Sequence, residues 1–140
     1  MKKICIDTDV ILDLFTKREP FYHHAAKLFT LVESGRIRGH VSSLIFSNLY
    51  YIIRKQKSKN QAISILRKLK TLVTVLPVDD MIIELALSSE FSDFEDAIQY
   101  HTAKRHNLDY IITRNIKDFK NSEIEALPAD LFLGIFETGV

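Results

Sequence analysis

The chain has 140 residues, 46% of them hydrophobic and 26% charged, with a formal net charge of +1. That size and composition suit one globular domain over residues 1–140 with its own core, and no second domain is expected. No apolar run approaches the roughly 20 residues needed to cross a bilayer, the N-terminus lacks a signal-peptide core, and the single cysteine, Cys5, excludes an internal disulfide framework. A cytoplasmic protein with no membrane partner is therefore expected.

In chain order, Ile4 and Ile6 alternate with Cys5 in a first strand, and Asp7, Thr8 and Asp9 follow before the apolar run Val10 to Phe15, which reads as a short helix. Side chains two apart on extended chain point the same way, so Asp7 and Asp9 are expected to share a face about 6 to 7 Å apart. A helix N-cap is the alternative role for Asp9. Glu19-Pro20 breaks the helix. Phe21, Ala25, Leu28, Phe29 and Val32 recur at helical spacing in a second helix that stops near Gly35, with His23 and His24 on its surface.

Gly39 to Ser42 predicts a second strand, with Ser42 or Ser43 capping the helix Leu44 to Lys55. Ile45, Phe46, Leu49, Tyr50, Ile52 and Ile53 cover more than one face of that helix, so it is expected to pack on several sides or against a partner chain. Asn48 is its one amide. Ser58 to Gln61 matches a capping box, which opens a helix with Ala62, Ile63, Leu66 and Leu69 inward and Arg67, Lys68 and Lys70 outward. Leu72 to Leu76 is a third strand, and Asp79 caps a helix over Met81 to Ser88.

A second acidic group follows. Ser92 to Glu95 reads as another capping box, starting a helix near Asp93 that runs to about His106, with Asp93 and Asp96 on one face and Glu95 turned back to its cap. Leu108 to Thr113 predicts a strand ending in Thr113, Arg114 and Asn115, with Asp118 just beyond. Ile124 to Leu127 is a weaker strand, and Pro128 starts a final helix. Strands alternating with helices argue an α/β fold, a central parallel sheet flanked by helices.

Charge is divided along the chain. From Ser34 to Val78 there is no Asp or Glu, while Arg36, Arg38, Arg54, Lys55, Lys57, Lys59, Arg67, Lys68 and Lys70 supply +9, which leaves −8 in the rest. A phosphate-binding surface has this look, and so does a solvated face. The acidic flanks deliver Asp7 with Asp9, Asp93 with Asp96, and Asn115 with Asp118. Oxygen donors without His or Cys suit Mg²⁺ or Mn²⁺, which bind through one or two carboxylates plus waters and substrate phosphates. Thr8, Asp9, Asn48 and Thr113 would complete the polar lining.

The blocks IDTDVILDLF, SSLIFSNLYYIIRK, FSDFEDAIQYHTAK and YIITRNIKDF resemble, in order and spacing, the PIN domain, including the VapC-like toxin nucleases. The resemblance implies one three-layer α/β domain with a magnesium-dependent ribonuclease site, and an antitoxin as partner. It matches the family's first aspartate to Asp7, the helix-start acid to Asp96 with Asp93 beside it, and the position after Thr-Arg to Asn115. Asp118 would supply the acid there, so Asp7, Asp96 and Asp118 are the catalytic candidates. One family acid is replaced by Asn48, a neutral ligand.

Two other readings use the same residues. Asp7-x-Asp9 after an apolar strand also resembles the opening motif of haloacid-dehalogenase-like phosphatases. A PIN fold weakened by Asn48 would instead bind RNA or protein without turnover. RNA is expected to approach over Arg54, Lys55, Lys57, Arg67, Lys68 and Lys70, and a homodimer is expected through Leu44 to Ile53 and the C-terminal segment.

Overall fold

A computed structural model describes residues 1–138, so the last two positions of the expected 1–140 domain lie outside the described residues. Five strands, β1 (Lys3–Ile6), β2 (Arg38–Ser42), β3 (Thr74–Leu76), β4 (Tyr110–Ile112) and β5 (Glu125–Leu127), form one sheet in the order β3-β2-β1-β4-β5. All four pairings are parallel; Cys5, for instance, stands opposite His40 of β2 and Ile111 of β4. The helices are α1 (Thr8–Phe15), α2 (Tyr22–Glu33), α3 (Ile45–Gln56), α4 (Lys59–Leu72), α5 (Asp80–Leu87), α6 (Phe94–Arg105) and α7 (Ala129–Glu137). A 3₁₀ turn, Ile116–Phe119, follows β4.

The period of two along each strand sorts the core into layers. Ile4 and Ile6 of β1, Ile112 of β4 and Leu127 of β5 pack with the apolar faces of α1, α2, α3, α4 and α7. Cys5 and Ile111 point the other way, toward Tyr100 and Ala103 of α6, and α6 in turn packs on α5 through Ile98, Ala97 and Ile82. Burial pushes the Cys5 thiol up to about 12, so it stays neutral and packs as a small apolar group. Gly39 lets α2 close on the sheet, since a Cβ there would stand 3.1 Å from Ile6 Cδ1 and 3.3 Å from Val32 Cγ2.

Several local expectations shift for identifiable reasons. Helix α1 begins at Thr8 because Asp7, still extended at φ −74°, caps it by accepting the Thr8 N–H. Asp9 therefore sits in the first helical turn; it neither caps the helix nor shares an extended face with Asp7. Helix α3 starts after Leu44 with no side-chain cap, and Ser43 Oγ accepts the Val78 N–H instead. Asp93, one residue after Ser92, is the cap of α6 and accepts the Asp96 N–H at 3.0 Å. The Ser58–Gln61 box and the Asp79 cap form as expected. Ile63 on α4, expected inward, is exposed.

Candidate active site

The same alternation that sorts the core aims the first acid. Cys5 and Ile111 face α6, so Asp7 and Thr113, two positions further along each chain, face α6 too, at the C-terminal edge of the sheet. The ladder continues that far, because Asp7 N–H donates to Ile112 O at 2.9 Å and Thr113 N–H to Leu127 O at 3.1 Å. Asp7 is buried and accepts three hydrogen bonds: from Thr8 N–H at 2.7 Å, Gln99 Nε2 at 2.8 Å and the Thr113 hydroxyl at 2.7 Å. Three donors hold one carboxylate in a single orientation.

Around it opens a cleft of about 480 Å³, lined by Asp7, Thr8, Asp9, Asn48, Asp93, Asp96, Asn115 and Asp118. Ligands in open α/β sheets gather at this edge, beyond the strands' C-terminal ends. Helix α1 supplies Asp9, whose Oδ2 accepts the Arg114 N–H at 3.0 Å and the Asn115 amide at 3.4 Å. Helix α6 supplies Asp96 and its cap Asp93, α3 supplies Asn48, and the turn after β4 supplies Asn115 and Asp118. Every residue expected in the metal site and its lining thus reaches one cleft, except Thr113, which lies behind Asp7 as its hydrogen-bond donor. The basic residues are placed differently. Arg54 and Lys55 are exposed at the end of α3, while Arg67, Lys68 and Lys70 lie exposed on α4; none of them lines the cleft.

Crowded carboxylates raise one another's affinity for protons. Desolvation, followed by the charges of Asp7, Asp93, Asp118 and Glu95, pushes Asp96 up from its ordinary 3.8 to about 7. Burial first, then Asp7, pushes Asp9 up to about 6, against the lowering effect of the Arg114 N–H. Between about pH 4 and pH 7 the folded chain then holds protons that an unfolded chain has released, so stability of the metal-free protein falls as pH rises through that window. Melting temperatures in a chelator are expected to decline from pH 5 to pH 7.5, and Mn²⁺ at pH 7.5 to restore much of the loss. A flat pH profile would remove the carboxylate conflict from the account.

A small divalent cation fits this donor set. Asp9 Oδ1 and Gln99 Oε1 are buried acceptors with no hydrogen-bond partner, and both belong to cleft-lining residues. Among the described residues no three His, Cys, Asp or Glu side chains form a ready-made cage. Mg²⁺ and Mn²⁺ do not need one, because they keep waters and complete their shell with substrate oxygens.

Five participants escape a sequence reading. Gln99 lies three residues after Asp96 on the same face of α6, a spacing that would have flagged it. Glu95 lines the cleft instead of folding back on its cap, and Arg18 and Tyr51 join the lining. Asp13, one turn after Asp9, is 2% exposed and accepts two hydrogen bonds from Arg114, Nε at 2.9 Å and Nη2 at 2.9 Å. A lone acid inside the apolar run Val10 to Phe15 is its only sequence trace.

A parallel sheet of this order, with an acidic cleft at its C-terminal edge and helices on both faces, defines an α/β protein with a carboxylate-lined site. More particularly, the chain belongs to the PIN domain family, whose model matches residues 3–117. Ribonuclease VapC1 of Aquifex aeolicus (strain VF5) is 25% identical over 136 residues, spanning 94% of this chain and 93% of the relative. The DNA-bound VapBC structure from Salmonella typhimurium superposes with a TM-score of 0.70 at 18% identity, covering 92% of this chain and 99% of that one. Mycobacterium tuberculosis VapC20, a sarcin-ricin loop cleaving toxin, gives 0.70 at 15% identity over 87% and 97%. At those identities the two structures speak for the fold. Membership in the PIN family leaves the phosphatase resemblance without support.

Proposed function

We propose that this chain is a single-domain, Mg²⁺- or Mn²⁺-dependent endoribonuclease of the VapC type, acting in the cytoplasm as the toxin of a toxin–antitoxin pair. The observation that carries the reading is the convergence of Asp7, Asp9, Asp93, Asp96 and Asp118, with Asn48 and Asn115, on one cleft at the sheet's C-terminal edge. When bound, such an ion would supply positive charge where negative charge develops on the phosphoryl oxygens and make water a better nucleophile than it is in bulk. Asp7, held by Gln99 and Thr113, Asp96 and Asn115 are the residues that would hold it, with Asp93 at the rim. Asp118 sits in the same cleft, within the group of acids that raises Asp96.

The relatives support the rest of the reading. Aquifex VapC1 is named a ribonuclease, and the Salmonella structure and that of VapBC2 from Rickettsia felis are VapBC complexes bound to DNA. An antitoxin partner follows for this chain by analogy. The dimer expected from the apolar excess keeps its support in Leu131 and Ile135, which are exposed on α7. Among the described residues no helix is long and apolar enough to cross a membrane.

A polyanion entering an acidic cleft needs cations. Arg18 lines the cleft itself, and α3 runs from cleft-lining Asn48, Tyr51 and Ile52 directly to Arg54 and Lys55. We place RNA along that helix; the face of Arg67, Lys68 and Lys70 on α4 is a more distant contact for the same strand, and Lys57 lies between the two.

Asn48 favours a second reading, a PIN fold that holds RNA with little turnover, because a neutral amide stands where the resemblance expects an acid. Calorimetry with Mn²⁺ separates the two. Asp96→Asn is expected to weaken Mn²⁺ binding about tenfold or more, and Asn48→Glu to tighten it. If Asp96→Asn binds as well as wild type, the ion sits elsewhere; RNA bound without cleavage in saturating Mn²⁺ would select the second reading.

A further inference from the structure

Beside the acidic cleft lies a second hollow of about 460 Å³, a size that small ligands fill. Val10 and Ala25 form its apolar wall, Phe21 and Arg114 one side, and His24 and Asp130 part of its rim. The Arg114 guanidinium lies 3.9 Å from the Phe21 ring centroid and is fixed in place by its two hydrogen bonds to buried Asp13. The ring therefore stands over a cation that is itself held in place. Phe21 is nevertheless 39% exposed, so part of an aromatic surface faces open space.

The hollow and the cleft share a wall. The backbone N–H of Arg114 binds Asp9, which lines the cleft, while its side chain lines the hollow. Helix α1 divides in the same way, giving Asp9 and Leu12 to the cleft and Val10 and Asp13 to the hollow. A strand of RNA with a phosphate in the cleft would thus have this hollow as a neighbour. Its charge selects which part of a nucleotide enters. Asp13 already matches Arg114, and Asp130 adds a negative charge, so a phosphate is repelled while a flat, neutral group with polar edges is accepted. Of the components of RNA, only the base has that form.

We propose that the hollow receives one unstacked base of the RNA, lying against the Phe21–Arg114 pair with its polar edge toward His24 and Asp130. The subsite rests on the reading of this chain as an RNA-cleaving enzyme and gives that enzyme a preference for the base beside the cut. Aromatic stacking of a single base is commonly worth about ten- to a hundred-fold in affinity.

The test uses the full chain in a chelator, with adenosine, guanosine, cytidine and uridine as probes, each without phosphate. Titration followed by NMR is expected to shift the Phe21 ring and His24 resonances with saturation at millimolar nucleoside. Phe21→Leu is expected to weaken that binding about tenfold, and Asp130→Ala, at an exposed rim position, to narrow the differences among the four nucleosides. Unmoved Phe21 and His24 resonances, or equal binding by Phe21→Leu, would overturn the subsite. Cleavage then separates the two readings. A chain that binds nucleosides here but cuts no RNA in Mn²⁺ keeps the base site and loses the nuclease, whereas cleavage with the same sites and the same KM in wild type and Phe21→Leu loses the base site alone.

Discussion

Asp7→Asn is expected to lower Mn²⁺-dependent RNA cleavage by at least about 100-fold while leaving the fold within about 1–2 kcal/mol of wild type. Loss of a group that merely orients a metal ligand already costs about 10- to 100-fold, and Asp7 is proposed as a ligand itself. The fold tolerates the change because its hydrogen bonds can be rebuilt. In Asp7, Oδ1 accepts from Thr8 and Gln99 and Oδ2 from the Thr113 hydroxyl. An asparagine keeps the first oxygen, and its Nδ2 can donate to Thr113 Oγ1, whose hydrogen rotates away. What is lost is the charge-assisted part of those bonds, about 1 kcal/mol. Some of that returns, since the charge of Asp7 raises both Asp9 and Asp96. Single-turnover cleavage and a thermal melt on the same preparation read the two quantities separately. Cleavage at the wild-type rate by a folded Asp7→Asn variant would remove Asp7 from the chemistry.

The sequence shows the layers of this fold better than it shows the site's geometry, and the reason is physical. Strand alternation and helical spacing are periodic over many residues, so β1, β2, β4, α2, α4 and α6 can be read within a residue or two of their observed bounds. Gathering Asp7 and Asn115 at one edge needs only the rule that parallel strands present their C-terminal ends together, and Asp96 joins them because α6, which leads back into β4, starts at that edge. Local detail fails where competing caps differ by one residue. Asp7 and Asp93 take the cap roles that a reading by motif gives to Asp9 and Ser92, and each substitution rotates the acids that follow. Long-range polar pairs leave even less trace. Gln99 with Asp7 and Arg114 with Asp13 are separated by 92 and 101 positions, and nothing periodic links them.

Arg114→Ala is expected to destabilise the protein by about 3 kcal/mol, which for a chain of this length lowers the melting temperature by roughly 10 °C. Asp13 is 2% exposed and has Arg114 as its ion-pair partner, so the truncation leaves a carboxylate buried without compensation. Such losses run to about 3–5 kcal/mol, and the lower end applies because the Arg114 side chain is 29% exposed and solvates part of the pair. Replacing both partners, Asp13→Leu with Arg114→Met, is expected to recover most of the stability, since no charge then remains to be buried. Urea denaturation of the two single variants and the double variant measures the coupling directly. The Arg114 N–H that holds Asp9 belongs to the backbone and survives every one of these changes. Mn²⁺ affinity in the double variant should accordingly stay within a fewfold of wild type, whereas a single Arg114→Ala variant as stable as wild type would show that water already solvates Asp13 and that the pair is no strut.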